Sequence, residues 1–193
     1  RTWRDDSLES GETRPEGNRD MWQLRIVAPV PLGENLKLLN RLTLRNNEAA
    51  DRSSGAGDAE YFALFIPVEW ATGRWGIGPQ VNIPATSSKF GSTSWRYGFA
   101  SAGLQRLADD KILAGILLQQ VWGETTINGK DDLVAQPITI QPVFNYSLKN
   151  GYYLNIGDTA FSYDWQNKSW LIPVGLRFGK VFITDSGAAW NLY

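Results

Sequence analysis

Through long stretches of this chain every second residue is apolar. In MWQLRIVAPVPLGENLKLLNRLTLRN, Met21 to Asn46, one row holds Trp22, Leu24, Ile26, Ala28 and Val30, while Gln23 and Arg25 lead the other. Beyond Gly33-Glu34-Asn35 the pattern resumes, with Leu36, Leu38, Leu42 and Leu44 against Lys37, Arg41, Thr43 and Arg45. Side chains on an extended backbone point alternately to two faces, so such rows demand β-strands with one apolar and one polar side. No apolar period of about 3.6 residues is sustained anywhere, and Gly and Pro recur throughout, which argues against helices. The alternation predicts strands near 21–32, 36–46, 58–70, 74–84, 94–107, 111–122, 135–147, 151–163 and 169–183, with the start of a tenth near 189.

The connections alternate in length. Short ones fall at 33–35, 71–73, 108–110 and around Lys149-Asn150; longer polar ones span 47–57, 85–93 and 123–134, with a modest one at 164–168. Short turns at one end and longer loops at the other mark an up-and-down meander, an asymmetry found in outer-membrane barrels. Residues 1–20 are charged and free of pattern, and read as a long loop or a disordered arm. The remaining 21–193 form one sheet domain, expected to be incomplete at both ends. The predicted strands exceed the ~5–6 residues usual in globular sheets and match the roughly 9–11 that cross a bilayer at a tilt. With no helix to cover it, so large an antiparallel sheet must close or pack on itself.

Composition removes much chemistry. Histidine and cysteine are both absent, which excludes thiol nucleophiles, disulfides, histidine-based catalysis and the usual zinc, copper and haem ligands. Lys plus Arg number 19 and Asp plus Glu 20, so global charge does not point to nucleic acid. The 193 residues suffice for one sizeable domain. No run approaches the roughly 20 apolar residues of a transmembrane helix. No signal peptide is visible and the chain begins at Arg1, so it reads as mature or truncated.

Which face is inside decides the function class. Consistent apolar rows comprise Phe62, Leu64, Ile66, Val68 and Trp70; Trp75, Ile77, Val81 and Ile83; Ile138, Ile140, Phe144 and Tyr146; and Trp170, Ile172, Val174, Leu176, Phe178 and Phe182. Trp22, Trp70, Trp75, Trp95, Trp122, Trp165 and Trp170 sit at strand ends, where a lipid-interface girdle would place them. The polar rows carry Arg25, Arg41 and Arg177 at mid-strand and glycines such as Gly76 and Gly78, which suits a crowded lumen. The expectation is therefore lipid outside. A soluble sandwich or lipocalin-like barrel, with the apolar rows inside, is the alternative. Two strands resist a single row: in 94–107 the apolar positions switch from Trp95, Tyr97 and Phe99 to Ala100, Ala102 and Leu104, and in 151–163 a bulge near Gly157 would be needed to repair the face of Asp158.

Four blocks, GDAEYFALFIPVEW (57–70), WGIGPQVNIPATSSKFGSTSWRYGFA (75–100), QPITIQPVFNYSLKNGYYL (136–154) and WLIPVGLRFGKVF (170–182), resemble a family of bacterial outer-membrane channel proteins first noted beside meta-pathway phenol-degradation genes. The resemblance spans residues 21–183. It implies an all-β, antiparallel, up-and-down transmembrane β-barrel of about twelve strands, about ten of them represented here. It also implies a Gram-negative outer-membrane location, membrane lipid and a small-molecule solute as partners, and porin-like passive transport of small aromatic solutes. It carries no catalytic motif and no cofactor, and it leaves the oligomeric state open.

The candidate solute contacts are Arg25, Arg41, Arg45, Arg96 and Arg177, with Arg106 at their margin and Glu69 as the clearest acid on that side. Rings of arginine favour anions in pores. The plainer reading pairs these arginines with loop acids or places them at strand rims. Glu124, Asp131 and Asp132 could offer oxygen ligands to calcium, but their spacing matches no calcium loop, so no metal site is expected. Asp58 and Glu60 share a face and are the only carboxylate pair considered for catalysis; they read as rim residues, and no enzyme is expected. Two alternatives to the channel remain at this stage: a structural or partner-binding outer-membrane barrel with a filled lumen, and a soluble β-barrel ligand binder.

Overall fold

A computed structural model describes residues 2–3, 19–33, 36–48, 53–127, 130–157, 159–183 and 189–192. Among the described residues fifteen strands make one antiparallel sheet. In chain order they are β1 (Thr2–Trp3), β2 (Arg19–Pro31), β3 (Lys37–Glu48), β4 (Ser54–Ala56), β5 (Ala59–Trp70), β6 (Gly73–Ile83), β7 (Arg96–Leu107) and β8 (Ile112–Ile127). There follow β9 (Lys130–Ala135), β10 (Ile138–Ser147), β11 (Tyr152–Asn155), β12 (Phe161–Asp164), β13 (Ser169–Leu171), β14 (Arg177–Ile183) and β15 (Ala189–Leu192).

Several short strands are pieces of one line. β4 and β5 both pair β3, β9 and β10 both pair β8, β11 and β12 both pair β10, and β13 and β14 pair β12 and β11. Each break has a local cause. Gly57-Asp58 interrupts the first line and Gln136-Pro137 the second, where proline cannot donate to a ladder. The line 151–163 breaks at Ile156, where Gly157 takes φ +70° and its N–H donates to Asn155 Oδ1 at 2.8 Å. Asp158 lies outside the described residues. The line 169–183 breaks over 172–176, around Pro173. The loop expected at 123–134 is instead a hairpin, with Trp122 to Ile127 paired against Ala135 to Lys130.

The ladder runs β1-β2-β3-β5-β6-β7-β8-β10-β11-β14-β15, and among the described residues no bridge joins its two ends. The expected closed transmembrane barrel is therefore corrected to an open antiparallel sheet. Alternation reports the two faces of each strand and carries no information on whether the first strand meets the last. The charged arm expected over 1–20 falls mostly outside the described residues; what is described there is the pairing Thr2↔Asp20 and Trp3↔Arg19.

The sheet is strongly curled. Cα atoms of β5 and β7, two strands apart, come within 8 Å, whereas a flat sheet would hold them about 9.6 Å apart. On the inner side of the curl Phe62, Leu64, Ala100 and Leu117 form the core, with Leu39 and Ala102 packed against it. Burying each large side chain contributes about 1.5–3 kcal/mol. The curl needs small residues at its crease. A Cβ added at Gly78 would collide with the Ala63 carbonyl oxygen, and one at Gly98 with that of Gln120.

The core corrects the face expected for β5. Phe62, Leu64 and Ile66 are buried on the inner side, while Val68 and Trp70 are exposed on the outer. A register shift between Phe65 and Val68 inserts the extra residue that swaps the faces. In β7 no bulge is needed: pairing with β6 is continuous from Arg96 to Gln105, with Tyr97 and Phe99 outward and Ala100 and Ala102 in the core. The outer face carries a broad set of exposed apolar side chains, among them Trp22, Leu24, Ile26, Phe65, Ile77, Phe99, Phe144 and Phe178.

Candidate functional site

The inner face of β3 presents Arg41, Thr43 and Arg45 in succession, because residues two apart share a side. The register fixes their neighbours. Thr43 lies opposite Arg25 on β2 and opposite Glu60 on β5; Arg41 lies opposite Phe62. Thr43 thus stands at the centre of a cross whose arms are three arginines and one glutamate.

Arg41 Nη2 donates to Glu60 Oε1 at 2.6 Å, and its guanidinium carbon lies 4.2 Å from the centre of the Phe62 ring. Arg45 Nη2 sits 3.7 Å from Glu60 Oε2. Burial alone would push the Glu60 carboxyl up. The Arg41 charge and hydrogen bond, Arg45 and a hydrogen bond from Gln119 outweigh it and hold the carboxyl below its ordinary range. Burial lowers the Arg41 pKa; Glu60 opposes that shift, and Arg25 and Arg45 add to it.

A polar chain leads away from Glu60. Gln119 Nε2 donates to Gln80 Oε1 at 3.0 Å, and Gln80 Nε2 to Asn82 Oδ1 at 3.0 Å. Glu60 is on β5 and Gln119 on β8, which a flat sheet would separate by about 14 Å. Their contact is a product of the curl. At the end of the sheet beyond Arg45, Asp58 anchors the β6–β7 connection. Its Oδ1 accepts from the Ser92 N–H at 2.8 Å and its Oδ2 from Arg96 Nη2 at 3.4 Å, while its carbonyl accepts from Arg45 Nη1 at 3.2 Å. Asn47 Nδ2 holds the same connection through the Phe90 carbonyl at 2.6 Å.

Of the residues named from sequence, Arg25, Arg41 and Arg45 come together, with Arg96 one step away through Asp58. Glu69 is apart: it accepts from Lys37 Nζ at 2.7 Å, and both side chains are exposed. Arg177 lies on β14, separated in the ladder by β8, β10 and β11 from Arg96 on β7 and by β6 and β7 as well from Glu60 on β5. Arg106 lies at the end of β7, where Nε is 3.5 Å from Asp110 Oδ1 in the following turn and Nη2 donates to the Ala71 carbonyl. The residues missed from sequence are Thr43, Gln80 and Gln119. Their parity beside Arg41 and Gly78 was visible, but no local pattern announces which strand will be curled against which.

The tryptophans expected as a girdle divide. Trp22, Trp70, Trp75, Trp95, Trp165 and Trp170 are exposed, and Trp122 is half-buried beside Phe99. Three indole N–H groups find partners on the sheet itself: Trp70 donates to Gln105 Oε1, Trp75 to Ser101 Oγ and Trp165 to Gln120 Oε1.

Comparison with known proteins gives no match to any family model, any curated protein or any solved structure. The resemblance to the outer-membrane channel family is corrected accordingly. With the ladder open and the family unmatched, a porin-like solute channel, a lipid partner and an outer-membrane location lose the two supports on which they stood. On the inner face, where a lumen was expected, Phe62, Leu64 and Leu117 pack into a core. No described helix is long and apolar enough to cross a membrane.

Proposed function

We propose that this chain is a non-catalytic sheet module whose sheet is extended by an additional strand along β2, continuing the line of β1, whether that strand comes from this protein's own chain or from another. The observation that carries this reading is the asymmetry of β2. Its inner edge is paired to β3 without interruption from Met21↔Asn47 to Pro31↔Lys37, while among the described residues its outer edge is paired only at Arg19 and Asp20, by β1. An edge left unpaired among the described residues presents a row of backbone donors and acceptors, a template for a further strand. Natural edges are blunted by charge or proline. In β2 the stretch Trp22 to Ala28 holds one charged residue, Arg25, and the prolines come only at Pro29 and Pro31.

The added strand has a defined chemistry. It runs antiparallel to β2 in line with β1, and it sets apolar or β-branched residues beside Trp22, Leu24 and Ile26 and polar ones on the other side. The non-catalytic part of the reading is supported by the carboxylates: Glu60 is held by Arg41, and Asp58 by Arg96 and Ser92, so both serve structure. Among the described residues no group of three potential metal-ligating side chains is assembled.

A synthetic eleven-residue strand alternating Val and Thr tests the reading, with amide hydrogen exchange as the readout. The expected result is slowed exchange across Met21–Pro31, absent with a Ser/Lys strand of equal length. Unchanged exchange along β2, or slowing spread evenly over the outer face, contradicts it.

A further inference from the structure

We infer that the inner face of β10, β11 and β14 carries a binding site for a neutral sugar ring, free or at the end of a glycan. A cavity of about 350 Å³ opens there, with Asn145, Ser147, Tyr153, Asn155 and Val181 in its lining and the turn at Gly151 at its end. Its place follows from register. Gln141 lies opposite Leu117 of the core, so Asn145 and Ser147, at the same parity, face inward too. Asn155 stands directly opposite Asn145, and Tyr153 opposite Ser147. Gly151, at φ +78°, brings the turn so close to β14 that a Cβ there would meet the Val181 carbonyl oxygen at 2.5 Å.

The lining selects the ligand. None of the side chains around the cavity is charged, so an ion would shed water there with no counter-charge in contact. Arg177, opposite Asn155 on β14, stands outside the lining. Two carboxamides and a hydroxyl each offer both donor and acceptor. The Asn155 Oδ1 accepts from the Gly157 N–H at 2.8 Å, which fixes that carboxamide and leaves its Nδ2 to donate. Among the described residues no side-chain hydrogen bond engages Asn145 or Ser147. Opposed side chains on a ladder stand about 5 Å apart, close enough to grip neighbouring hydroxyls of one ring. Tyr153, almost fully buried, and Val181 add an apolar floor, which matches the C–H side of a sugar. Volume sets the size: the cavity lies at the low end of the roughly 300–1,000 Å³ of ligand pockets, room for one ring.

The site lies on strands remote from β2 in the ladder, and its test reads different signals. Amide and carboxamide NMR shifts of the full chain are followed while methyl glucoside, methyl galactoside or methyl mannoside is added to about 100 mM. The expected result is saturable movement of Asn145, Ser147 and Asn155 with at least one of the three. Asn145→Ala and Ser147→Ala should each weaken that binding about five- to tenfold, the loss of one hydrogen bond, with the rest of the spectrum unchanged. The corresponding methyl uronide, with a carboxylate in place of the hydroxymethyl group, should bind more weakly than its neutral parent. The matching disaccharide separates the two sources: equal binding supports a glycan end, and exclusion supports the free sugar. No saturable shift with any of the three glycosides, binding untouched by both substitutions, or a uronide that binds more tightly than its parent would each overturn the proposal.

Discussion

At the scale of single residues, the Arg41–Glu60 pair is the electrostatic centre of the inner face. Taking two charges out of water is costly, and the pair offsets that cost only because each partner is further bonded. Glu60 is held by Arg41, Arg45 and Gln119 together. Its folded pKa lies below the ordinary value of 4.5, so its contribution to stability is full above that pH and is lost as the pH falls through the lowered value. Glu60→Gln should therefore cost about 2–3 kcal/mol at neutral pH and flatten the acid limb of the stability profile, as read by urea midpoints from pH 7 to 3. Glu69 adds to the same limb from an exposed position, and its part should fade in high salt while that of Glu60 persists. The sequence made Arg41 and Arg45 legible as members of a polar row. It placed Glu60 at a rim, because the opposing register of β3 and β5 is not written in either strand alone.

At the scale of elements, alternation located the long strands within a few residues, from 21–32 against Arg19–Pro31 to 74–84 against Gly73–Ile83. What it could not resolve was face. Phe62, Leu64, Ile66, Val68 and Trp70 read as one row, yet the shift between Phe65 and Val68 puts the first three in the core and the last two outside. A bulge in an all-apolar stretch leaves no trace in the pattern, since both rows remain apolar through it. The glycines of the inner face were legible as a feature, and the curl supplies their reason. Gly78→Ala and Gly98→Ala each set a methyl group against a neighbouring carbonyl oxygen and should lower stability by about 2 kcal/mol. Gly103→Ala, whose new methyl would meet only Trp75 Cδ1 at 3.7 Å, should be neutral or gain ~0.5 kcal/mol. Denaturant midpoints of the three variants separate the crease from an ordinary strand position.

At the scale of the whole molecule, the described residues form a meander in which no bridge joins the first strand to the last. Closure is a long-range property: it depends on whether β2 meets β14 or β15, and nothing in the alternation of either edge decides it. A sheet with an apolar outer face and edges unpaired among the described residues is unfinished as a packing unit, which is why we propose strand addition at β2. The absence of native cysteine makes the openness directly testable by disulfide trapping, which requires Cα atoms closer than about 7 Å. Leu24→Cys is combined in turn with Leu44→Cys on β3, Phe182→Cys on β14, and Trp190→Cys or Asn191→Cys on β15. Leu24 and Leu44 are directly opposed, so oxidation of the monomer should join that pair and none of the others. A cross-link from Leu24→Cys to β14 or β15, formed as readily as the one to β3, would show a closed ring and contradict the open sheet.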